Sequence, residues 1–470
     1  MLFQIKSITV LTAAAAALLA TGCAVGPDYE RPEVSVADSY RGAALLPGWK
    51  QARPSEDAIK GDWWRLYEDE DLDKLITNVE INNQNVAQYV QRYRAALADL
   101  SSAEASLFPS VTASGSAGRS KTSGAISNRS SLQGSVSWTP DIWGKLSRQK
   151  AANRAAAEAS LADLANATLS AQATLARSYL RLRVLDKRVS LYDETIRVYE
   201  NNLRTITNKY EAGTAVRTDV TQAAQSLASA RSSRESLRLD RAKLEHAIAV
   251  LIGQAPETFS IPVRDGALPK VPEIPASLPS RLLERRPDVA SAERAMASAN
   301  ESIGIAIAGY FPDLTLSASG GYSKNSLSNL ISADNLVWSL GASAAATIFD
   351  FGKTGAAVDK ARANYERTVA AYRQTVLEAL KDVEDCLVSS ASLSEQLTHT
   401  TAAYEAANET SRLMHNQYDA GMIDYTNVST RDASRISAQQ SVLSLYASSL
   451  ENSVTLIESL GGGWEGLKIE

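Results

Sequence analysis

The chain of 470 residues has little of the chemistry on which most enzymes and metal sites depend. It contains only three histidines, which are far apart in the sequence, and two cysteines, Cys23 and Cys386. It has no HExxH motif, no paired-cysteine motif, no glycine-rich phosphate loop and no G-x-S-x-G motif. We therefore expect a protein that is not an enzyme and that has neither a metal site nor a cofactor.

Charge and hydropathy bring two further absences. The formal net charge is −5, and the basic stripes with interleaved aromatic residues that mark nucleic-acid binders are missing. Beyond the first 22 residues, no apolar run is long enough for a membrane-spanning helix. We expect no nucleic-acid partner. In lipid, only helices and closed β-barrels can satisfy all of their backbone hydrogen bonds. Since a spanning helix is missing, a mature chain that crosses a membrane must do so with β-strands.

The first 22 residues have the features of a secretory signal. Lys6 supplies a positive charge, and the apolar run from Ile8 to Ala20 is too short for a membrane span. The run ends in LLATGC, which resembles a bacterial lipobox, although Ala20 stands where that motif usually has leucine. The resemblance implies that Cys23 becomes the acylated first residue, with lipid as the only covalent group. An ordinary signal peptide that is cleaved nearby is the alternative.

An internal repeat organises the rest of the chain. At an offset of 208 residues, Gly144-Lys145 matches Gly352-Lys353, and YEAG (210–213) matches YDAG (418–421). Each copy is predicted to contain a helix, two strands, a very long helix, a tight turn and a returning helix. The predicted segments are a signal peptide (1–22), a lipidated N-terminal segment (23–71), repeat 1 (72–253, with a β-hairpin at 109–140 and a turn at 211–217), a proline-rich linker (254–287), repeat 2 (288–461, with a β-hairpin at 312–350 and a turn at 419–425) and a C-terminal tail (462–470).

Composition and length predict the helices. A first helix is expected over 72–107 and a very long one over 146–211, where alanine is abundant and proline is absent. At 1.5 Å per residue the long helix would measure about 100 Å. The helices over 72–107 and 218–252 are each about half as long, so together they would match it. This arrangement, made twice, predicts a coiled-coil slab four helices wide, which is a piece of a cylinder.

Four segments alternate between apolar and small polar residues, at 110–120, 131–138, 314–323 and 338–348. Strands of a membrane barrel show this pattern, and so do strands of a half-buried soluble sheet. Aromatic residues bracket the strands as two interfacial girdles would, which favours the membrane. The girdle candidates are Phe108, Trp143, Phe311 and Phe349 at the helix ends, with Tyr322 and Trp338 towards the loops.

Four strands are too few to close a barrel, because membrane barrels begin near eight strands. Open sheet edges cannot face lipid. The barrel must therefore be shared between chains, and three copies would supply twelve strands in a cyclic assembly.

Several motifs resemble those of the outer-membrane efflux proteins, and among them the NodT-like lipoprotein outer membrane factors of tripartite pumps of the resistance-nodulation-division type. These motifs are CAVGPDYERPEV (23–34), DWWRLYEDEDLDKLI (62–76), LPSRLLERRPDVASAE (278–293) and LGGGW (460–464). The resemblance implies a mixed α and β membrane protein. Its homotrimer would form a 12-stranded outer-membrane β-barrel, continued by a 12-helix periplasmic tunnel, in a Gram-negative bacterium.

The implied function is a passive exit duct for drugs or other toxic small molecules. The implied partners are a periplasmic membrane-fusion adaptor protein, an inner-membrane efflux transporter and outer-membrane lipid. Two alternatives remain: the outer-membrane channel of a type I protein secretion system, and a structural periplasmic coiled-coil lipoprotein without a pore. The lipobox and LLERRPD (282–288) favour the pump, and a coiled coil alone would not explain girdled, alternating strands.

The resemblance also assigns a gate to the two turns, which form the periplasmic tip in the family. Gly213 and Gly421 suit the left-handed conformation of a helix C-terminus. Asp219 and Asp424 match acids of the family constriction, and a threefold axis would turn each into a ring of three carboxylates. Helix N-capping is the alternative role for both acids.

One aromatic position completes the implied gate. Tyr418 matches a family tyrosine that locks the closed tip, with Asp219 as its expected hydrogen-bond partner. Tyr210 is its counterpart in repeat 1. Ile423 stands where some members have an arginine, so Arg217 or Arg431 is a candidate substitute.

Overall fold

The computed structural model describes residues 24–32, 39–42, 61–272, 274 and 285–464. Within these ranges the chain forms seven α-helices and one four-stranded sheet. In chain order the elements are α1 (Glu70–Asn82), α2 (Gln84–Ala105), β1 (Ser110–Thr122), β2 (Ala125–Trp138), α3 (Lys145–Glu211), α4 (Arg217–Leu251), α5 (Pro287–Ala308), β3 (Asp313–Lys324), β4 (Leu336–Ala345), α6 (Lys353–Asp419) and α7 (Tyr425–Ser459).

Corresponding helices of the two repeats have equal lengths. The long helices α3 and α6 have 67 residues each, α2 and α5 have 22, and α4 and α7 have 35. Both long helices start after a left-handed glycine, Gly144 or Gly352, with φ of 75° and 88°. A glycine at this position lets the chain turn sharply from the sheet into the helix, because it has no Cβ to clash.

The prediction of one helix over 72–107 is wrong, because the chain forms two helices that meet at Asn83. The backbone of Asn83 is extended, and its side-chain oxygen accepts from the N–H groups of Asn85 and Val86 over 2.9 and 3.0 Å. Its side-chain amide donates to the Leu251 carbonyl over 2.8 Å. Asparagine is a strong N-cap, so it starts a new helix here rather than continuing the old one. The end of α4 therefore contacts the chain at this break.

The sheet is an antiparallel meander with the order β1-β2-β3-β4. The second strand of the first hairpin pairs with the first strand of the second, as in Leu132 opposite Tyr322. One face carries hydroxyl groups that contact each other across strands, including Ser319 and Ser339 at 2.8 Å. The other face carries the apolar side chains. The two edges, β1 and β4, have no further strand beside them among the described residues.

The helices lie four abreast at both levels of the molecule. Next to the sheet the order is α2-α3-α5-α6, and towards the turns it is α4-α3-α7-α6. Helix α3 is therefore inside the slab along its whole length, whereas α6 is at an edge. None of the helices in the described part of the chain is both long and apolar enough to cross a membrane.

The main hydrophobic core lies near the middle of the long helices. The segment before α1 contributes Trp63, which is 1% exposed, and Tyr67, whose hydroxyl lies 2.7 Å from Ser453 Oγ. Leu180 of α3 and Val376 of α6 are fully buried in the same cluster. Truncation of a buried tryptophan typically costs about 3–5 kcal/mol, so Trp63 fastens the N-terminal segment firmly to the helices. Smaller apolar clusters continue from this core towards the turns.

Candidate functional site

Two tight turns join the long helices to the returning ones, at the end of the molecule away from the sheet. Gly213 and Gly421 are left-handed, with φ of 76° and 75°. The residue after each glycine donates its backbone N–H to a carbonyl in the last turn of the long helix, over 2.8 and 2.9 Å. This is the glycine-terminated helix end known as the Schellman motif. The two turns therefore share one backbone geometry, although their sequences differ.

The two turns are held together by an apolar cluster. Its buried members come from three helices: Ile206 of α3, Ala223 of α4, and Tyr425 and Val428 of α7. Tyr418 of α6 packs against the cluster from the outside. Burial raises the pKa of the Tyr425 hydroxyl to about 12, so the phenol stays neutral at physiological pH. Both hairpins thus end in one shared core.

Tyr418 links the two hairpins through its ring. The ring lies edge-on to Tyr425, with centroids 5.6 Å apart, and the Nζ of Lys209 lies 4.5 Å from its centroid. A lysine at this distance makes a cation–π contact. Within the chain, Tyr418 makes no hydrogen bond to Asp219, the partner that the resemblance implied. The structure instead joins Tyr418 to α3 through Lys209.

The remaining predicted gate residues line the tip. Asp219 is half-buried in the first turn of α4, whereas Asp424, Arg217 and Tyr210 are exposed. None of these four side chains makes a hydrogen bond or ion pair within the described residues. Asp424 is the N-cap residue of α7, yet its side chain makes no capping bond, and neither does Asp219. The capping alternative is therefore not supported by the geometry, and both carboxylates are free to face a neighbour.

A buried polar cluster lies just above the second turn, between α6 and α7. Asp432 is 2% exposed and accepts from Ser411 Oγ at 2.5 Å. The Nε2 of His415 lies 3.0 and 3.1 Å from its two carboxylate oxygens. This hydrogen bond raises the pKa of His415 above its ordinary value. The cluster fastens the end of α6 to α7 by charge.

Sequence reasoning missed this cluster and the role of Lys209. The three polar residues are 17 or 21 positions apart across a turn, and no sequence motif joins them. A weak signal was available, because Ser411 and His415 are four residues apart and so share a face of α6.

Comparison with known proteins agrees with this architecture. Residues 75–254 and 278–462 match the family model described as outer membrane efflux protein. The chain belongs to the outer membrane efflux protein family. It is 29% identical to the toluene efflux pump outer membrane protein TtgC of Pseudomonas putida, over 97% of this chain and 96% of TtgC. It is 30% identical to the pyoverdine export outer membrane protein OpmQ of Pseudomonas aeruginosa, over 86% of this chain and 87% of OpmQ.

A solved structure extends the likeness to the whole fold. The outer-membrane channel OprN matches with a TM-score of 0.86 and 27% identity, and the match covers 94% of this chain and all of OprN. The protein is thus an outer-membrane efflux channel of a Gram-negative bacterium, with a periplasmic extension.

In this outer membrane efflux protein, the aromatic girdle candidates lie at two levels of the sheet. At the helix end, Trp143 stacks on Phe311 with centroids 4.7 Å apart, and Trp143 Nε1 donates to the Pro312 carbonyl over 2.8 Å. Phe108 and Phe349 are also there and are largely exposed, at 71% and 75%. Tyr322 and Trp338 lie on the strands, nearer to the loops. Trp138, which the girdle prediction omitted, donates to the Leu107 carbonyl at the helix end.

The segment that follows the expected lipidation site lies along the helices just below this girdle. Cys23 and the signal segment are outside the described residues. Ala24, the next residue, packs against Gly144 so closely that a Cβ on Gly144 would lie 2.8 Å from the Cα of Ala24. Arg148 is only 5% exposed and donates to the carbonyls of Gly26 and Pro27 and to Glu301. A buried arginine with three acceptors is an anchor that sequence reasoning did not identify.

Proposed function

We propose that three copies of this chain form one continuous exit duct, a 12-stranded barrel in the outer membrane followed by a 12-helix tunnel in the periplasm. The observation that carries the proposal is the four-stranded sheet with two unpaired edges, β1 and β4, in a protein of the outer membrane. Each unsatisfied backbone group in lipid costs several kcal/mol, so an edge of ten residues would cost tens of kcal/mol. Closure with further copies removes this cost.

The helices support the same assembly. Four helices lie abreast at each level, so three chains supply twelve at every height. Helix α6, at one edge of the slab, has exposed apolar residues along its length, including Leu377 at 57%, Val388 at 48% and Leu413 at 44%. Exposed apolar side chains spread along one helix favour burial against a neighbouring chain.

The tunnel is gated at the two turns. Asp219 and Asp424 make no hydrogen bond or ion pair with any residue that the structure describes, and a threefold axis would place three copies of each around the opening. Rings of carboxylates narrow a pore and favour cations. Tyr418 packs against the shared apolar cluster of the tip from the outside, where it can keep the two hairpins closed. Tyr210 and Arg217 are exposed at the rim, where they complete the gate by contact with neighbouring copies.

Conductance in planar lipid bilayers tests the gate. Replacing Tyr418 and Asp219 together, as Tyr418→Ala with Asp219→Ala, should raise single-channel conductance because the tip loosens. Glu211→Ala, an exposed acid at the end of α3, is the matched control and should leave conductance unchanged. Unchanged conductance in the double variant would contradict the proposed gate.

The duct is one part of a larger machine. We assign to it an acylated Cys23, a periplasmic adaptor and an inner-membrane transporter, with drugs or other toxic small molecules as cargo. The names of its relatives, a toluene efflux protein and a pyoverdine exporter, support small molecules as cargo. The acylation is supported by the position of Ala24 beside the aromatic girdle, which is the level at which lipid chains would enter the membrane.

Two measurements test the assembly and its cargo. Light scattering of the detergent-purified protein should give the mass of a trimer. Expression in a strain that lacks its own outer-membrane efflux channels should restore drug resistance only when the matching adaptor and transporter are present. A monomer without channel activity would overturn the proposal.

A further inference from the structure

Three cations lie at the outer end of the sheet, on its apolar face. The register pairs Arg119 with Asn128, Lys121 with Ile126, and Lys324 with Ser130. Because side chains alternate along a strand, Arg119 and Lys121 share a face with Val111 and the other odd-numbered residues of β1. Lys324 likewise shares a face with the leucines of β3. These three residues, which we call the rim cations, therefore occupy the side of the sheet that meets lipid.

The height of the apolar face shows where the rim cations lie relative to the apolar band of a membrane barrel. The apolar rows begin at Leu314, opposite Ala344, and end at Tyr322, opposite Leu336. The eight residue steps from Leu314 to Tyr322 span about 27 Å along the strand, or roughly 20 Å after a tilt of about 40°. The apolar band of an outer-membrane barrel is about 25 Å tall. Lys324 is one row beyond this band, and Arg119 and Lys121 are two and three rows beyond it.

The rim cations have no counter-charge in the part of the chain that the structure describes. Across the described residues, none of the three makes an ion pair or a side-chain hydrogen bond, and β1 and β2 contain no acidic residue. The one acid in the loop of the second hairpin, Asp334, is exposed and also unpaired. Long cationic side chains can reach water from such a position. Contact with water does not explain why none of the three has an acidic partner.

We propose that the rim cations bind the phosphate groups of a phosphorylated lipid in the outer leaflet. An arginine fork matches a phosphate in geometry, and the lysines add charge. Asn128 of β2, directly opposite Arg119, supplies a neutral donor on the same face. The inference rests on the proposed function, because the rim cations meet lipid only if the sheet is part of a barrel. A trimer would carry nine such charges around its outer rim.

The test compares two lipids. Wild-type protein and the variant Arg119→Gln, Lys121→Gln, Lys324→Gln are placed in nanodiscs, and binding of lipid A is measured against lipid A without its phosphates. Wild type should prefer the phosphorylated lipid, and the triple variant should bind it about 100-fold more weakly, from the usual contribution of three basic residues near an anionic surface. Arg129→Gln is the matched control.

Arg129 suits this purpose because it lies at the same end of the sheet on the opposite face, paired with Gly118. Its replacement should leave the lipid preference unchanged. The proposal is overturned if the triple variant keeps the preference, or if wild type binds both lipids equally. A third outcome would also overturn it. In lipid without phosphates, Asp334→Asn and the triple variant would destabilise the trimer equally. The cations would then pair with Asp334 of a neighbouring copy rather than with lipid.

These outcomes are separate from the failure of the proposed function. A trimer of normal conductance without lipid preference would reject the rim site alone. A protein that forms neither a trimer nor a channel would reject the duct itself.

Discussion

The two long hairpins have the same dimensions but different interiors. Helices α3 and α6 both contain 67 residues, yet 23 side chains are buried in α3 and nine in α6. From Val388 to Thr410, α6 has no buried residue, whereas the matching stretch of α3 includes Leu180, Leu182 and Val184. Equal length with unequal burial shows that α3 is packed on both flanks within the chain, whereas one flank of α6 is exposed, and the proposed trimer would cover that flank with a neighbouring copy.

The tips differ as well. At the repeat offset of 208, the buried cluster of Ser411 and Asp432 corresponds to Leu203 and Ala224 in the first hairpin. Leu203 packs against apolar clusters, so the first hairpin closes by hydrophobic contact. The second closes partly by a buried charge. The two turns therefore share one backbone geometry but are stabilised by different interactions. Only the interaction in the second hairpin depends on pH.

The largest expected effect tests the difference in burial between α3 and α6. Leu180→Ala should destabilise the protein by about 2–5 kcal/mol, because it leaves a cavity in the main core. Its counterpart in the repeat, Val388, is 48% exposed, so Val388→Ala should leave the fold of the chain unchanged and lower the heat stability of the proposed trimer. Thermal unfolding in detergent measures the first change, and migration of the heated trimer on a denaturing gel measures the second. Equal effects on both measurements would remove the contrast.

A smaller effect is expected at the buried acid. Asp432→Asn should cost about 1–3 kcal/mol, because Ser411 and His415 lose a charged partner in a buried place. Asp424→Asn, at an exposed and unpaired acid of the same hairpin, is the matched control for stability and should change it by no more than about 0.5 kcal/mol. Chemical unfolding would measure both, and similar values would show that burial of Asp432 does not matter.

Acidity should act on the second hairpin alone. The pKa of His415 is raised by Asp432, and Asp419 and Arg435 act on it in opposite directions. A raised pKa in the folded state means that the stabilisation is complete below the unfolded value of about 6.5. It is lost as the pH rises through the folded pKa. Single-channel conductance should therefore increase as the pH rises through that range, and His415→Gln should abolish the change. A slope that survives in His415→Gln would contradict this assignment.

The smallest expected effect concerns the contact between the hairpins. Lys209→Met removes a cation from the face of Tyr418 and should weaken the closed tip by about 0.5–1 kcal/mol, which is typical of an exposed cation–π pair. Lys209→Arg keeps the cation and should behave as wild type. The frequency of channel opening in bilayers would show the difference, and identical opening of both variants would indicate that Tyr418 is held by Tyr425 alone.

Much of the fold could be predicted because its signals are local and repeated. Freedom from proline and abundant alanine gave the bounds of α3 to within one residue, and alternation identified all four strands. The glycines of the turns have the conformation expected for them, since a left-handed helix end favours a residue without a Cβ. These features depend on neighbouring residues only.

The rest depends on contacts that no local pattern contains. The break at Asn83 requires its side chain to turn back onto α2 and across to Leu251. Asp432 meets His415 only once the hairpin has closed. Arg148 is buried because the N-terminal segment returns to cover it, although more than a hundred residues separate them. The ring of Tyr418 is fastened to Lys209 rather than to the expected acid.

The equal lengths of the paired helices have a consequence for reach. A helix of 67 residues acts as a ruler of about 100 Å between the membrane and the tip. Removing seven residues from α6 alone would lift one side of the opening by about 10 Å and leave the tip uneven. The same deletion in α3, α4, α6 and α7 would keep the opening level and bring it closer to the membrane. The length of these helices therefore sets the width of the compartment that the duct can bridge.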